Sequence, residues 1–396
     1  MPEPPAAVLW TDRPEFAVYA DSFNTSQSAY KVEVRYLENL AQALVETKET
    51  KKAPDILVGG YLKSAAARSL FRPLDRLFNE KTLARSAFYP RLLSMGAIDQ
   101  KQYLLPVAFN IPAMVFARQN GQLLSNPFTV GLGEIRELGS AHNQESRRVY
   151  AKMGFSPGWD PEFLYIAADL FGAAFQEGSP LGWDEAALES AIQAMRAWTA
   201  ETNGGIQAED DFVFKYFYEP PEVLALSGRI LFTYMDSAKF FTLPEERRAN
   251  LDFRWLAEKE RIPLGEGAVY YGIYKRGRAR KASKAFTVWF FQAETQKALL
   301  EEGKTKRLGE TLFGISSGFS ALRSVTEQIF PQYYPSLLGH TPPDGFLTPS
   351  RILPPRWSGL KAEVVLPYLA GRIRAPVPEK TRDLERRIAE WYSQTF

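Results

Sequence analysis

The sequence predicts an α/β fold, because short apolar strands alternate with amphipathic helices in the first sixty residues. Strands are predicted at residues 8–10, 32–36 and 56–58, and apolar residues at helical spacing lie between them. This order implies parallel strands joined by right-handed crossovers. At 396 residues the chain is also too long for one simple core, which predicts two lobes or domains.

Two amphipathic helices are predicted between these strands. The first is expected to start after Thr11 or Asp12, either of which can cap it, with Pro14 in its first turn. The second follows the strand at 32–36. The expected apolar faces are Phe16, Tyr19, Ala20 and Phe23 in the first helix and Leu37, Leu40, Ala41 and Leu44 in the second.

The middle of the chain is predicted to be mainly helical. It begins after a strand region at 103–116 that two prolines interrupt, so a bend or a crossing between lobes is expected there, at Asn110. Beyond it, the segment Trp159-Asp160-Pro161 opens one helix and Asp184 caps another.

The second half of the chain adds strands and then helices. An apolar run at 228–237 is predicted to be a buried strand with a polar tip, and 268–274 a second strand interrupted by glycine. Ser283 is expected to cap a helix that extends through Phe290 to Leu299. Two last helices are predicted near 360–373 and 380–392.

Composition argues against several functional classes. Lys and Arg number 48 against 46 Asp and Glu, and the net charge of +2 gives no field that favours nucleic acid or an anionic membrane. Without cysteine the chain has no disulfide framework and no thiolate metal site. No apolar run is long enough to span a bilayer, so we expect a soluble chain. Residues 1–7 are Pro-rich and resemble the tether of a trimmed chain.

Candidate ligand contacts lie at the ends of the first three strands. In open α/β sheets, ligands bind just beyond the carboxyl ends of the strands. The three ends converge on one rim, where Gly59-Gly60 permits close backbone approach or a positive φ. The segments at these ends are Trp10-Thr11-Asp12, Tyr36-Leu37-Glu38 and Gly59-Gly60-Tyr61.

Taken in order, several short motifs resemble the extracellular solute-binding proteins of ABC transporters, in the sugar-binding cluster that includes maltose-binding protein. The resemblance covers some 350 residues, and each motif alone is short. The motifs are the opening Val8-Leu9-Trp10-Thr11-Asp12, Ala53-Pro54-Asp55, Tyr103-Leu104-Leu105-Pro106, the strand from Gly228 to Asp236, Tyr271-Gly272-Ile273 with its following helix, and Pro354-Pro355-Arg356-Trp357.

The resemblance implies a set of ligand positions, and Glu38 joins them from its strand end. Asn110 stands where maltose-binding protein has a hinge carboxylate, and Tyr61-Leu62 replaces a charged pair, so a sugar other than maltose is expected. The implied positions are Trp10, Asp12, Gly60, Tyr61, Asn110, Trp159, Asp160, Tyr234, Asp236, Tyr271 and Trp357.

The resemblance also implies the architecture and the setting. Family members have a type II periplasmic-binding-protein fold, in which two α/β lobes are joined by a multi-crossing hinge and close on a solute between them. The expected lobes are residues 1–110 with 262–325 and 111–261 with 326–396. The implied partners are a sugar and the permease subunits of an ABC importer. The expected protein is a periplasmic or extracytoplasmic monomer, lipid-anchored at full length, with no cofactor and no catalytic or metal site.

The residue types in this set suit a sugar. A sugar presents apolar C–H faces and a rim of hydroxyls, so a binding protein needs aromatic planes and hydrogen-bonding side chains. Trp159, Tyr234 and Trp357 are the expected planes. Asp12, Asp160, Asp236 and Asn110 are the expected hydrogen-bonding groups, although a helix cap explains Asp12 equally well. Asp55 is interpreted as structural.

Two other classes remain open at this point. A glycoside hydrolase would also gather carboxylates and aromatics around a sugar. Paired tyrosines, Tyr270-Tyr271 or Tyr333-Tyr334, are a ligand type for ferric iron, although adjacent residues of a strand point to opposite faces. A polyol is a further alternative ligand.

One compact basic cluster, residues 276–281, is not among the expected ligand positions. Its sequence, Arg276-Gly277-Arg278-Ala279-Arg280-Lys281, can contact a phosphate, a lipid headgroup or a transporter subunit. A solvated loop before the next helix explains the same charges.

Overall fold

The structure is a computed structural model that describes residues 6–46, 53–79, 82–147, 149–306, 311–374 and 382–395. Most of the Pro-rich start, residues 1–5, and the first residues expected in the last helix, 380 and 381, therefore lie outside the described residues. The described strands are β1 Ala6–Thr11, β2 Lys31–Tyr36, β3 Ile56–Gly59, β4 Ala97–Ile98, β5 Lys101–Gln102, β6 Leu104–Phe109, β7 Pro112–Ala117, β8 Thr129–Val130, β9 Gln144–Ser146, β10 Val149–Lys152, β11 Thr233–Asp236, β12 Leu251–Leu256, β13 Ile262–Pro263, β14 Val269–Ile273, β15 Phe319–Ser320 and β16 Leu347–Thr348.

Helices lie between most of these strands. Two short π-helical stretches, Val325–Ile329 and Lys361–Val365, precede α14 and α16. The described α-helices are α1 Glu15–Ser26, α2 Leu40–Glu46, α3 Ala65–Arg68, α4 Pro90–Ser94, α5 Leu132–His142, α6 Pro161–Phe171, α7 Glu185–Thr202, α8 Ile206–Tyr216, α9 Pro221–Leu226, α10 Ser237–Thr242, α11 Glu245–Arg248, α12 Arg280–Phe290, α13 Ala293–Thr305, α14 Phe330–Tyr333, α15 Trp357–Leu360, α16 Leu366–Arg374 and α17 Arg382–Thr395.

The chain divides into two compact units, and it passes from one to the other three times. Unit 1 contains the chain up to Asn110 and Leu264–Arg356, and unit 2 contains Ile111–Pro263 and Trp357–Phe396. The first two crossings lie at or within two residues of the expected boundaries. The third follows Arg356, about thirty residues later than the expected boundary after 325.

Local packing explains the position of the third crossing. Phe330 packs against Phe319 with ring centroids 5.9 Å apart, and Arg91 donates a hydrogen bond to the Leu347 carbonyl at 2.9 Å. Both contacts lie within unit 1 and hold the segment 326–356 there. After Trp357, the buried Arg372 of α16 donates to both carboxylate oxygens of Glu189 in α7, at 2.8 Å each, within unit 2.

Unit 1 is built on a six-stranded mixed sheet in the order β15-β6-β14-β3-β1-β2. β1 pairs in parallel with both β2 and β3, as the βαβαβ pattern predicts. β14 returns antiparallel between β3 and β6, with Tyr271 opposite both Val58 and Leu105. β3 and β6 are buried along their whole length, which accounts for their nearly continuous apolar sequences.

Helix α1 covers this sheet with the face that its periodicity predicts. Its buried residues include Phe16, Tyr19, Ala20 and Phe23. The Phe16 ring lies 5.2 Å from Phe290 of α12, and Phe23 meets Phe286 of the same helix edge to face at 5.3 Å. Each such fully buried ring contributes about 2 kcal/mol of hydrophobic stabilisation. The aromatic share of the sequence is therefore used in part for the core of unit 1.

Unit 2 has a smaller sheet and more helix. Its four strands lie in the order β11-β7-β12-β8, with the buried β7 antiparallel to β11 and β12. Helices α6 and α7 pack together through Phe163 and Trp198, whose rings cross nearly at right angles at 6.3 Å. Helix α6 begins after Asp160 and α7 after Asp184, as predicted, because each aspartate accepts a hydrogen bond from a first-turn N–H at 2.9 Å.

Three local predictions are wrong. Helix α1 has Pro14 at its N-cap position without a side-chain cap, because Thr11 and Asp12 bond elsewhere. Helix α12 starts at Arg280, and Ser283 lies inside it, bonded to the Ala279 carbonyl; Leu299 belongs to the separate helix α13. The strand expected at 228–237 is confined to Thr233–Asp236, since Gly228 has a φ of 69°.

Candidate functional site

A cavity of about 390 Å³ lies in unit 2 at the carboxyl end of β11. It brings together two segments that the sequence marked, residues 159–160 and 234–236, although they are far apart along the chain. The lining residues are Phe155, Trp159, Asp160, Phe217, Pro221, Thr233, Tyr234, Met235, Lys239, Thr242 and Leu243. The walls are mostly apolar, and polar groups stand at a few points, which is the usual composition of a small-molecule site.

Two helix starts place the polar groups of this cavity. Trp159 ends a short 3₁₀ turn, Pro157–Trp159, and Asp160 follows it as the N-cap of α6. Asp236 ends β11 and caps α10 through a hydrogen bond of 2.7 Å from the Lys239 N–H. Capping fixes the backbone on both sides of each aspartate, so the neighbouring Trp159 and Tyr234 are held on rigid supports.

Trp159 is supported by other aromatic rings. It stacks on Phe212 with centroids 5.7 Å apart and ring planes 14° from parallel, and it contacts Phe217 at 4.9 Å. Its indole Nε1 is buried and has no hydrogen-bond partner in the described part of the chain. The ring is half-buried, so part of it remains open to the cavity.

The two aspartates keep hydrogen-bonding capacity beyond their capping role. In each, Oδ1 accepts the capping bond, and Oδ2 has no partner among the described residues. Lys239 is exposed on the cavity wall, and its ammonium group likewise forms no ion pair in the described structure. The cavity therefore offers one unused carboxylate oxygen at Asp160 and one ammonium group at Lys239, and Asp236 lies beside its lining.

The strand ends of unit 1 also converge, as predicted. Asp12 Oδ2 accepts a hydrogen bond from the Gly60 N–H at 3.1 Å, and its Oδ1 lies 3.1 Å from the Arg13 guanidinium. Burial raises the pKa of Asp12, while the charge of Arg13 and the Gly60 N–H oppose that shift. A Cβ on Gly59 would lie 2.6 Å from Asp12 Oδ1, so this glycine serves close approach and has no positive φ.

The remaining candidates of unit 1 have varied surroundings. Tyr61 takes a left-handed backbone with φ of 55°, which turns the chain sharply after Gly60. Asn110 Nδ2 donates to the Ser317 carbonyl at 2.8 Å. Glu38 is exposed. Asp55 is structural, as interpreted, because its carboxylate accepts the N–H groups of Val8 and Ala279.

Three aromatic candidates are almost completely buried in the described structure. Trp10 is 2% exposed beneath the Arg35 guanidinium, and Tyr271 is fully buried with its hydroxyl 2.7 Å from Thr287 Oγ1. Trp357 is also fully buried, packed against Tyr165 and Phe175 of unit 2. The expectation that these three residues contact the ligand is corrected by their burial.

A lysine next to the unit 1 strand ends has an unusual environment. Lys63 Nζ lies 4.8 Å from the centroid of the Tyr270 ring and forms no hydrogen bond or ion pair within the described chain. Burial lowers its pKa to about 8. The charged form of Lys63 therefore destabilises the folded protein.

The structure gives no support to a metal site at the paired tyrosines. Tyr270 donates its hydroxyl to the Leu92 carbonyl, and the Tyr271 hydroxyl is bonded to Thr287. Tyr333 donates to Glu301, and the Tyr334 hydroxyl accepts the Gly314 N–H. Among the described residues, no group of three His, Asp or Glu side chains is placed to hold a metal ion. No described helix combines the length and the apolar character of a bilayer span.

Sequence reasoning missed several residues of the unit 2 cavity. Phe217 follows α8, Pro221 starts α9, and Lys239 lies in the first turn of α10. Phe217 contacts Trp159 although the two are 58 residues apart in sequence, and no local pattern predicts such a contact. Lys239 was open to prediction, because it stands three residues after the marked Asp236.

Structural comparison gives full-length matches. A cyclic α-maltosyl-1,6-maltose binding protein from Arthrobacter globiformis is 16% identical, with 98% of each chain covered and a TM-score of 0.66. The sugar-binding protein MalE from Xanthomonas citri is 12% identical, with 98% of each chain covered and a TM-score of 0.68. An ABC substrate-binding protein from Listeria monocytogenes in complex with cycloalternan is 12% identical, with 98% of this chain and 99% of that one covered and a TM-score of 0.64.

Sequence comparison, by contrast, gives no match. No family model matches the chain, and no curated protein matches it in sequence. At identities of 12 to 16%, the structural matches establish the fold alone. They confirm the predicted fold class, and the chain has the two-lobed α/β fold of the type II periplasmic sugar-binding proteins.

Proposed function

We propose that this protein binds an oligosaccharide and serves as the solute-binding component of an ABC importer. The observation that carries the proposal is the unit 2 cavity, in which Trp159, Tyr234 and Asp160 line one space of about 390 Å³. These are three of the ligand positions that the family resemblance implies. The fold supports the proposal as an analogy, and the cavity supports it chemically.

The cavity matches the two surfaces of a sugar. Trp159 and Phe217 offer aromatic surface for the C–H faces, and their mutual contact at 4.9 Å keeps that surface rigid. The unpaired oxygen of Asp160 and the ammonium group of Lys239 suit the hydroxyl rim. Hydrogen bonds to ionised groups contribute about 1.5 to 3 kcal/mol each, so two of them account for much of a micromolar affinity.

The solved neighbours point to the size of the ligand. One is named for cyclic α-maltosyl-1,6-maltose, another is bound to cycloalternan, and a third is a cyclo/maltodextrin-binding protein complexed with maltotetraose. We propose that the ligand here belongs to the same size class, above a disaccharide. The replacement of the hinge carboxylate by Asn110 supports a sugar other than maltose.

The other parts of the proposal concern setting and activity. We propose an extracytoplasmic monomer, lipid-anchored at full length, that delivers its sugar to permease subunits and catalyses no reaction. An assay with a panel of aryl glycosides tests the last point. Release of the aryl group by the protein, lost in an Asp160→Asn variant, would replace the binding proposal with a hydrolase.

Thermal unfolding against a ligand panel tests the proposed function. The panel contains mono- and oligosaccharides, with polyols, amino acids and ferric citrate as the other classes. A ligand present at 100 times its Kd stabilises the folded protein by about 2.7 kcal/mol. The proposal expects a raised Tm with an oligosaccharide, and an unchanged Tm with every sugar would contradict it.

Closure of the lobes on the ligand, which the sequence resemblance implies, stays a prediction. A ligand that binds one conformation more tightly shifts the population toward it. Small-angle scattering with saturating sugar measures this shift. The expected result is a smaller radius of gyration, and an unchanged radius at saturation would remove closure from the proposal while leaving binding in place.

A further inference from the structure

A second cavity, of about 430 Å³, lies in unit 1 and is lined by positive charge. It is found where β14 ends, since the next residue, Tyr274, donates its N–H to the Asp55 carbonyl just before β3 begins. The sugar-binding candidates of unit 1 follow the other end of β3. The lining residues are Arg68, Ser69, Phe71, Arg72, Pro73, Ile98, Tyr103 and Lys275.

The cationic side chains of this cavity retain hydrogen-bond donors that no described residue accepts. Arg68, in the last turn of α3, forms no hydrogen bond or ion pair through its side chain in the described residues. Arg72 uses Nε and Nη2 on the carbonyls of Tyr274, Lys275 and Gly277, which fixes its guanidinium and leaves Nη1 unbonded. Lys275 gives one of its three donors to the Ser69 carbonyl at 2.8 Å.

The neutral residues complete the set of donors. The hydroxyl of Tyr103 has no hydrogen-bond partner in the described part of the chain, and Ser69 is an exposed residue of the same cavity lining. No Asp or Glu belongs to the described lining. A cavity with three cations, two hydroxyls and no carboxylate is complementary to an anion.

The surrounding chain adds to the positive charge. The basic cluster at 276–281 follows Lys275 directly, and Arg276, Arg278, Arg280 and Lys281 are exposed. Burial, followed by the charge of Arg280, lowers the pKa of Arg72, while Asp55 opposes the shift. The Asp55 carboxylate is already committed to two backbone N–H groups. The described lining thus holds three cations and no acidic side chain.

We propose that this cavity binds the phosphate group of a phosphate ester. Phosphate has several acceptor oxygens and up to two negative charges, and a fixed guanidinium with a neighbouring ammonium recognises that geometry. The volume exceeds what the phosphate alone needs, and Phe71, Pro73 and Ile98 supply apolar wall for the group that carries it. The attraction is local, because the net charge of the whole chain is only +2.

Isothermal titration with the full chain tests the site, with inorganic phosphate and glycerol 3-phosphate as probes. Arg68→Gln removes an unbonded guanidinium, and Lys275→Gln is a second variant in case the first is poorly folded. Arg118→Gln is the matched control, since Arg118 is an exposed arginine of unit 2 without a described side-chain bond. We expect at least one probe to bind, about tenfold more weakly in Arg68→Gln and Lys275→Gln and equally well in the control.

A second arm separates a free phosphate ester from a lipid headgroup. The same proteins are sedimented with vesicles of phosphatidylglycerol or of phosphatidylcholine. Binding to phosphatidylglycerol alone that is lost in Arg68→Gln identifies a headgroup as the source, and binding of the small probes without the vesicles identifies a free ester. The proposal is overturned if neither the millimolar probes nor the vesicles bind, or if Arg68→Gln and Lys275→Gln bind as the control does. The sugar panel is unaffected by any of these results.

Discussion

The polar candidate residues of the two units differ in how many of their hydrogen-bonding atoms are already bonded within the protein. In unit 1 the carboxylate of Asp12 is occupied by Gly60 and Arg13, and the Asn110 amide is bonded to the Ser317 carbonyl. In unit 2, Asp160 and Asp236 each cap a helix with one oxygen and leave the other without a described partner. In unit 2, Asp160 lines the cavity together with the aromatic residues Trp159 and Phe217.

The difference makes the proposed binding role of Asp160 compatible with its structural role. A carboxylate has two oxygens, so a helix cap takes half of its capacity and fixes the direction of the other half. In Asp12 both oxygens are engaged, because Oδ1 pairs with Arg13 and Oδ2 accepts the Gly60 N–H. We therefore expect sugar affinity to depend more on unit 2 side chains than on Asp12.

The largest effect is expected from Trp159→Ala. Removal of an aromatic anchor from a binding pocket costs about 2 kcal/mol or more, which corresponds to a rise of about thirtyfold in Kd. Isothermal titration with the sugar found in the thermal panel measures it. Trp391→Ala is the control, because Trp391 lies on α17 outside the cavity and is bonded to Glu363. Equal affinity in both variants would contradict the unit 2 site.

The second prediction separates the two roles of Asp160. Asparagine caps helices as well as aspartate, so Asp160→Asn should keep the Tm while Kd rises about tenfold through loss of the charged hydrogen bond. Asp160→Ala should lose the same affinity and, in addition, about 1 kcal/mol of stability. The measurements are titration calorimetry and thermal unfolding. A loss of about 1 kcal/mol of stability in Asp160→Asn, with unchanged affinity, would show a purely structural aspartate.

Asp12→Ala is expected to give the opposite pattern. It leaves the Gly60 N–H without its acceptor, which costs about 1 kcal/mol of unfolding free energy. Its effect on Kd should be smaller than that of Asp160→Asn. Denaturant unfolding and calorimetry of the two variants side by side make the comparison. A greater loss of affinity in Asp12→Ala would mean that the carboxylate exchanges its partners for the ligand.

The smallest effect concerns Lys63 and pH. The pKa of Lys63 is lowered to about 8, so below pH 8 the folded protein carries a half-buried charge, and the resulting destabilisation is relieved as pH rises from 8 toward the ordinary value of 10.5. Lys63→Met should therefore be more stable than the original by about 1 kcal/mol at pH 7. The advantage should shrink at pH 10. A pH-independent difference would exclude titration of Lys63 as the cause.

Local patterns in the sequence predicted what local physics decides. The apolar face of α1 follows from its periodicity, and the caps of α6 and α7 follow from an aspartate before the first turn. The start of α6 and the end of β11, which line the unit 2 cavity, follow from the same kind of local signal, whereas their ligand role was implied by the family resemblance. These signals are complete within about a dozen residues of the chain.

Errors arose where a distant partner decides the outcome. Helix α12 begins ahead of Ser283, next to an Ala279 N–H held by Asp55 from 224 positions away. Trp357 follows Pro-Pro-Arg, which is typical of an exposed loop, yet Tyr165 and Phe175 bury it. Phe217 joins the cavity through a contact with Trp159 that no local pattern contains. The wrong or missed predictions depend on tertiary contacts between distant residues, whereas the correct ones depend on local sequence.

A crystal structure with the sugar that raises the Tm locates the binding site. We expect a sugar ring against Trp159, with a hydroxyl within hydrogen-bond distance of the second carboxylate oxygen of Asp160. A sugar bound elsewhere, for example in the separate cavity lined by Trp183 and Tyr392, would contradict this expectation.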